Sequence, residues 1–261
     1  MNFHLIIIII IFISLILLFY YSLYHKNIEN FTNNNNSNLI FVDRGDMIQI
    51  LFDDKDNYYN RFFINDFKVR NINNIDEYKE FIRESVSELN DDQKKLITKV
   101  YNELLKDVSK ITRKWINIDN LKSIPFKIGF VKGKKYEYGL PHTRSDYIII
   151  SDTVLNYEYK EFKKTLLHEW IHIYQKKYPN DVEIFLDEFD FKRFKRREEN
   201  DNVRANPDLD DYIYKNKKGD IMKAVYKKKC KNIEDVDIFP ENEQKCEHPF
   251  ENMAIECENL I

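Results

Sequence analysis

The chain has 261 residues, with 41 basic and 44 acidic side chains and a formal net charge of −3. That balance argues against nucleic acid as a partner, and the length suits one domain of ordinary size or two small ones. Glycine, proline and cysteine number only 5, 6 and 3, which excludes a repetitive, loop-rich or disulfide-built protein.

Leu5 to Tyr24 is almost wholly apolar, with an unbroken isoleucine run from Ile6 to Ile11. As a helix, twenty residues span about 30 Å, the thickness of a bilayer core. Met1 to His4 carries no Lys or Arg, and no small-residue cleavage site follows, so an uncleaved single-pass anchor fits better than a removed signal. Tyr20, Tyr21 and Tyr24 stand where an interfacial aromatic belt would lie. Lys26 alone bears on orientation and leaves the side of the membrane open. The expected division is an anchor over 1–26, a polar low-complexity linker over 27–38 and one domain over 39–261. The linker holds two sequons, Asn30-Phe31-Thr32 and Asn35-Asn36-Ser37, which matter only on a lumenal side.

The first part of the domain, 39–120, reads as mostly helical. Arg44-Gly45-Asp46 is expected to be a turn, and Asp53, Asp54 and Asp56 a solvated one, since the glycine and terminal glutamate of a calcium loop are missing. Tyr78, Ile82, Val86 and Leu89 make one stripe of a helix from Ile75 to Leu89, with Asn74 as N-cap. Ile97, Val100, Tyr101, Leu104, Val108, Ile111 and Trp115 make another over Asp92 to Trp115.

After Pro125, in the part 121–261, the period shifts. Phe126 to Val131 alternates as a strand and Tyr147 to Ser151 reads as a buried one. Between them, Gly139 to Arg144 is expected to be loop, with His142 at a cleft wall or without a role. The run from Glu158 to Tyr178 lacks Gly and Pro and is stopped by Pro179, so it reads as a helix. Leu167, Ile171, Tyr174 and Tyr178 form its apolar stripe, widened by Trp170 and Ile173. It carries His168-Glu169-Trp170-Ile171-His172. Histidines four apart lie one helical turn from each other and can converge on a single metal ion, with Glu169 beside it as a proton acceptor.

Val182 to Phe194 is expected to be a further helix with the basic run Lys192 to Arg197 as its solvated end. Asn206 to Asp211 reads as a turn, and Tyr212 to Tyr214 with Ile221 to Tyr226 as a hairpin. Pro249 opens a last helix. There Glu251, Ala254, Ile255 and Glu258 share a face, and the small Ala254 allows close approach to the metal helix. Glu251 is the favoured third ligand; Glu256, Asp187, Glu188 and His248 are the alternatives. An acidic residue in a first turn also serves the helix dipole. His248, Tyr212, Tyr214 and His142 are candidates for contacts to substrate or transition state. The thiols of Cys230, Cys246 and Cys257 read as free, Cys230 with Cys246 being the easiest pair otherwise.

The H-E-x-x-H helix with a downstream P-F-E-x-x-A helix resembles the gluzincin branch of zinc metallopeptidases. It is similar to the membrane-anchored, metallopeptidase-like proteins of large DNA viruses. The resemblance implies an α+β, zincin-like fold, with a mixed sheet packed on the motif helix. It also implies a peptide or protein substrate, drawn out along the sheet edge that borders the cleft. His168, His172 and Glu251 would hold Zn²⁺, and Glu169 would act as general base toward a zinc-activated water. Thermolysin-like enzymes carry a carboxylate four residues after the ligand glutamate. Here that position is Ile255, so Glu258 is the candidate to orient a zinc histidine. The alternative to a membrane-anchored peptidase is a catalytically silent zincin-fold membrane or virion protein that binds or builds.

Overall fold

The computed structural model describes residues 38–241 and 246–261. The expected anchor and nearly all of the linker lie outside them. Among the described residues no helix is long and apolar enough to cross a membrane. Leu39–Ile261 forms one compact α+β unit.

Strand β1 (Leu39–Phe41) leads into helices α1 (Arg44–Asp53), α2 (Ile64–Arg70) and α3 (Ile75–Ser85). Strand β2 (Val86–Ser87), α4 (Asp91–Asp107) and α5 (Ile118–Ser123) follow. Then come β3 (Phe126–Val131), β4 (His142–Arg144), β5 (Tyr147–Ser151), α6 (Asp152–Leu155), α7 (Tyr159–Lys177) and α8 (Pro179–Glu188). The chain ends with β6 (Lys192–Arg196), β7 (Tyr212–Lys215), β8 (Ile221–Tyr226), β9 (Val236–Phe239) and α9 (Pro249–Glu258).

The first sheet runs β1-β3-β5-β4, with β2 on β3 beside β1. β1, β3 and β5 are parallel, and β4 closes one edge antiparallel to β5. It is buried on both faces. Phe126, Ile128, Phe130, Ile148 and Ile150 pack with α4, α7 and α9, whereas Val131 and Ile149 pack with α1 and α3. This two-sided burial gives β5 its continuous Ile148-Ile149-Ile150 run. Gly129 lets α1 pack closely, since a Cβ there would stand 2.2 Å from Met47 Sδ and push that side chain aside. The second sheet, β6-β7-β8-β9, is antiparallel throughout.

Helix α7 runs through the larger core with Leu166, Leu167, Trp170, Ile171, Ile173 and Tyr174 fully covered. Burying each such side chain contributes about 1.5–3 kcal/mol, which fixes the helix rigidly against the sheet. Ala254 of α9 is also fully covered in this core, as close approach of the two helices requires.

Several expectations are corrected. Arg44-Gly45-Asp46 is the first turn of α1, capped by Asp43, whose side chain accepts from Asp46 N at 2.9 Å. Asn74 caps α3 as expected, but that helix ends at Ser85, and Val86–Ser87 leaves it to pair with β3. Helix α4 ends at Asp107, and Ile111 and Trp115 reach the core from the irregular segment beyond it. Helix α8 begins at Pro179 and stops at Glu188, so the basic run is no helix end: it is the exposed edge strand β6. Lysines and arginines on an edge discourage pairing with other chains. Cys230, Cys246 and Cys257 are free and buried.

Of the three aspartates near α1, Asp53 is exposed as expected, but Asp54 is buried and Asp56 half-buried. Arg144 donates to Asp54 at 2.5 Å and to Asp56 at 3.0 Å, with its guanidinium over the Tyr58 ring. Next to it, Arg70 pairs with Glu137 at 2.7 Å, and Tyr58 donates to the same carboxylate at 3.0 Å. Burial alone would raise Glu137, but the charge and hydrogen bonds of Arg70 outweigh it and hold the carboxyl down at about 2. Two arginines so satisfied brace the segment from Glu137 to Arg144, in which His142 lies on strand β4 rather than in the loop expected there.

Candidate metal centre

His168, His172 and Glu251 bring one ligand atom each to within 4.8 Å of one another. Glu251 Oε2 lies 3.1 Å from His168 Nε2 and 3.8 Å from His172 Nε2. The two imidazoles come from adjacent turns of α7 with ring centroids 4.6 Å apart. The carboxylate comes from the first turn of α9, which Pro249 starts.

Neighbours fix the orientation of each ligand. His172 Nδ1 donates to Gln175 Oε1 at 2.8 Å, and Gln175 Nε2 donates to Phe250 O at 2.8 Å, tying α7 to α9. With its proton on Nδ1, His172 turns a bare Nε2 inward, and that buried atom has no hydrogen-bond partner. Burial pushes His172 down, against the pull of Asp208 and Glu251. His168 Nδ1 donates to Glu258, the carboxylate one turn beyond Ile255. Asn206 Nδ2 donates to Glu251 Oε1 at 3.2 Å and to Glu247 Oε1 at 3.0 Å. One oxygen of Glu251 is thereby occupied, and the other faces both histidines. Burial would raise Glu251, but the hydrogen bond from His168 and the charges of His172, His168 and Arg204 hold it well below the usual carboxylate range. Burial would lower His168, but its hydrogen bonds to Glu251 and Glu258 outweigh it and raise the imidazole well above its ordinary value. Once His168 Nε2 gives up its proton to a divalent cation, two nitrogens and one ionised oxygen make a three-ligand cradle.

Glu169 lies beside the cradle, 3 % exposed, with its Oε2 buried and unpartnered. Burial raises its carboxyl well above the ordinary value, and the nearby Asp208 adds to the rise. A cavity of about 370 Å³ opens over these groups; Leu140, Tyr157, Thr165, Arg204, Asp208 and Ile233 are among its walls.

The other candidates lie elsewhere or are already engaged. His142 is in strand β4 and walls the cavity, but its Nδ1 donates to Leu140 O at 2.9 Å and its Nε2 faces Tyr136 Oη at 3.4 Å. His248 is the N-cap of α9: Nδ1 accepts from Phe250 N at 3.1 Å and Nε2 sits 3.1 Å from Asp210. Tyr214 donates to Asp210 at 2.8 Å, and neither it nor Tyr212 walls the cavity over the cradle. Glu256 faces a separate pocket with Phe185 and Met222, and Glu188 pairs with Lys114 at 3.1 Å. Asp187 is outside the cluster.

Sequence reasoning missed Asn206, Asp208, Arg204, Tyr157 and Thr165. Only Thr165 carried a signal, standing three and four residues before His168 and Glu169 and so on their face of the helix.

Removing the group that orients His168 tests the arrangement. Glu258→Ala should weaken divalent-metal binding about 10–100-fold while α9 stays folded. Competition with a chromophoric chelator measures this, and an unchanged affinity would mean that Glu258 orients nothing.

Comparison with protein-family models, with curated proteins and with solved structures found no match. The functional reading therefore stands on the site itself.

Proposed function

We propose that this chain is a zinc-dependent metallopeptidase of the gluzincin type, with a zincin-like domain held at a membrane by residues 5–24. The observation that carries the reading is the pairing of a His168–His172–Glu251 cradle with Glu169, a buried carboxylate whose Oε2 has no protein partner. A site that only held a structural ion would need no such group. Two imidazoles and a carboxylate suit zinc and leave it a position free, as hydrolytic sites of this metal do. When bound, zinc supplies Lewis-acid polarisation of the scissile carbonyl and acidifies water.

The chain's own residues do the rest. Glu169 takes a proton from the attacking water and passes it to the leaving amine, so that one water is consumed for each bond broken. The raised carboxyl of Glu169 matches this use, because a group poised nearer neutrality both accepts and returns a proton. Asn206 leaves Glu251 one oxygen for the metal, and Gln175 and Glu258 hold the imidazoles.

Hydrolysis of a quenched-fluorescent peptide library by the full chain tests this reading. Activity should vanish with a zinc chelator and return on adding stoichiometric zinc. Activity that survives complete removal of metal would sink it.

A further inference from the structure

The edge strand β4 borders the cavity, and an extended substrate would be expected to add to it through backbone hydrogen bonds. Thr143, the middle residue of β4, turns its backbone groups outward from the sheet; Pro141 precedes the strand and Ser145 begins the turn after it. Thr143 is engaged at both backbone groups, and Pro141 and Ser145 offer no free N–H. Pro141 has no N–H to offer. Thr143 donates its N–H to Asp208 Oδ1 at 2.6 Å, and its carbonyl accepts from Lys176 Nζ at 3.4 Å. Ser145 donates its N–H to Asp56 Oδ2 at 2.8 Å. One residue further out, Leu140 donates to Glu137 O at 3.0 Å and its carbonyl accepts from His142.

The caps at Thr143 are held firmly. The Thr143 hydroxyl also donates to Asp208 at 2.6 Å, and Lys176 Nζ bridges Thr143 Oγ1 at 2.6 Å and Pro207 O at 2.9 Å. Asn206 accepts from Asp208 N at 3.0 Å and reaches Glu251 at 3.2 Å. The segment Asn206–Asp208 is therefore a strap from the third ligand to the edge strand, along the line an added substrate strand would take.

Resting on the peptidase reading, we infer that this site takes short peptides and free chain ends, held by side chains in the cavity rather than by backbone pairing along β4. The cavity of about 370 Å³ lies near the small end of the roughly 300–1,000 Å³ range of small-ligand sites. Residues with polar side chains, among them Tyr157 and Thr165, line it. The strap closes off the edge on which a long extended segment would depend.

The test uses the zinc-loaded full chain and unstructured peptides of two to ten residues that share one scissile pair. A parallel set carries N-methyl groups on the amides two and three residues from that bond. The expected kcat/KM levels off by about four residues and changes less than about threefold on N-methylation. A further gain of tenfold or more with length, or a tenfold loss on N-methylation, would overturn the inference and leave the peptidase reading standing. No cleavage of any member would defeat both.

Discussion

Glu169→Gln should leave the metal in place and lower kcat for peptide hydrolysis by about 10²–10⁴-fold, the range general acid–base catalysis supplies. Glutamine keeps the volume and the amide oxygen of the side chain but cannot take up a proton. The neighbouring ligands make no hydrogen bond to Glu169; they are held instead by Gln175, Glu258 and Asn206. Metal binding should therefore survive. The buried Oε2 has no partner among the described residues to lose, so thermal stability should hold. Kinetics and metal content read from the same sample decide the matter. Unchanged turnover would remove the general-base role, whereas loss of metal along with activity would make Glu169 a part of the cradle.

His172→Ala and Glu251→Ala should each weaken zinc binding by more than about 100-fold, since orienting groups alone account for 10–100-fold in such sites. The two losses arise differently. His172 is fully buried and its Nε2 is the unfilled acceptor of the cradle, so its removal deletes a donor and leaves a void beside α9. Glu251 contributes the cradle's one ionised oxygen, and its loss leaves Asn206 with Glu247 and His168 with Glu258 alone. Circular dichroism should stay that of the wild type while a competition titration reads the loss. Near-wild-type affinity in Glu251→Ala would place the third ligand elsewhere.

Helix α7 was legible because its information is local: the stripe Leu167–Ile171–Tyr174, the four-residue histidine spacing and the stop at Pro179 just beyond it are close together in the chain. Glu251 and Glu258 were legible for a related reason, as Pro249 fixes where the last helix begins and so which residues share the face of Ala254. Asn206 and Asp208 were not legible. Their composition is that of any turn, and the partner of Asp208 is Thr143, 65 residues away in the chain. The strand β6 was misread because Lys192 to Arg196 is charged at every position but Phe194 and shows no alternation. What makes it a strand is pairing with β7. Arg144 looked like a loop residue because nothing nearby in sequence announces that Asp54 and Asp56 will surround it, about 90 residues upstream.

The account turns on a cation held by two imidazoles and a carboxylate with a position left open. Zinc-edge X-ray absorption on the full chain tests that most directly. The expected spectrum has two imidazole nitrogens and further oxygen neighbours at about 2.0–2.2 Å, and no sulfur. A sulfur shell at about 2.3 Å, or a chain that retains no zinc after dialysis, would contradict it.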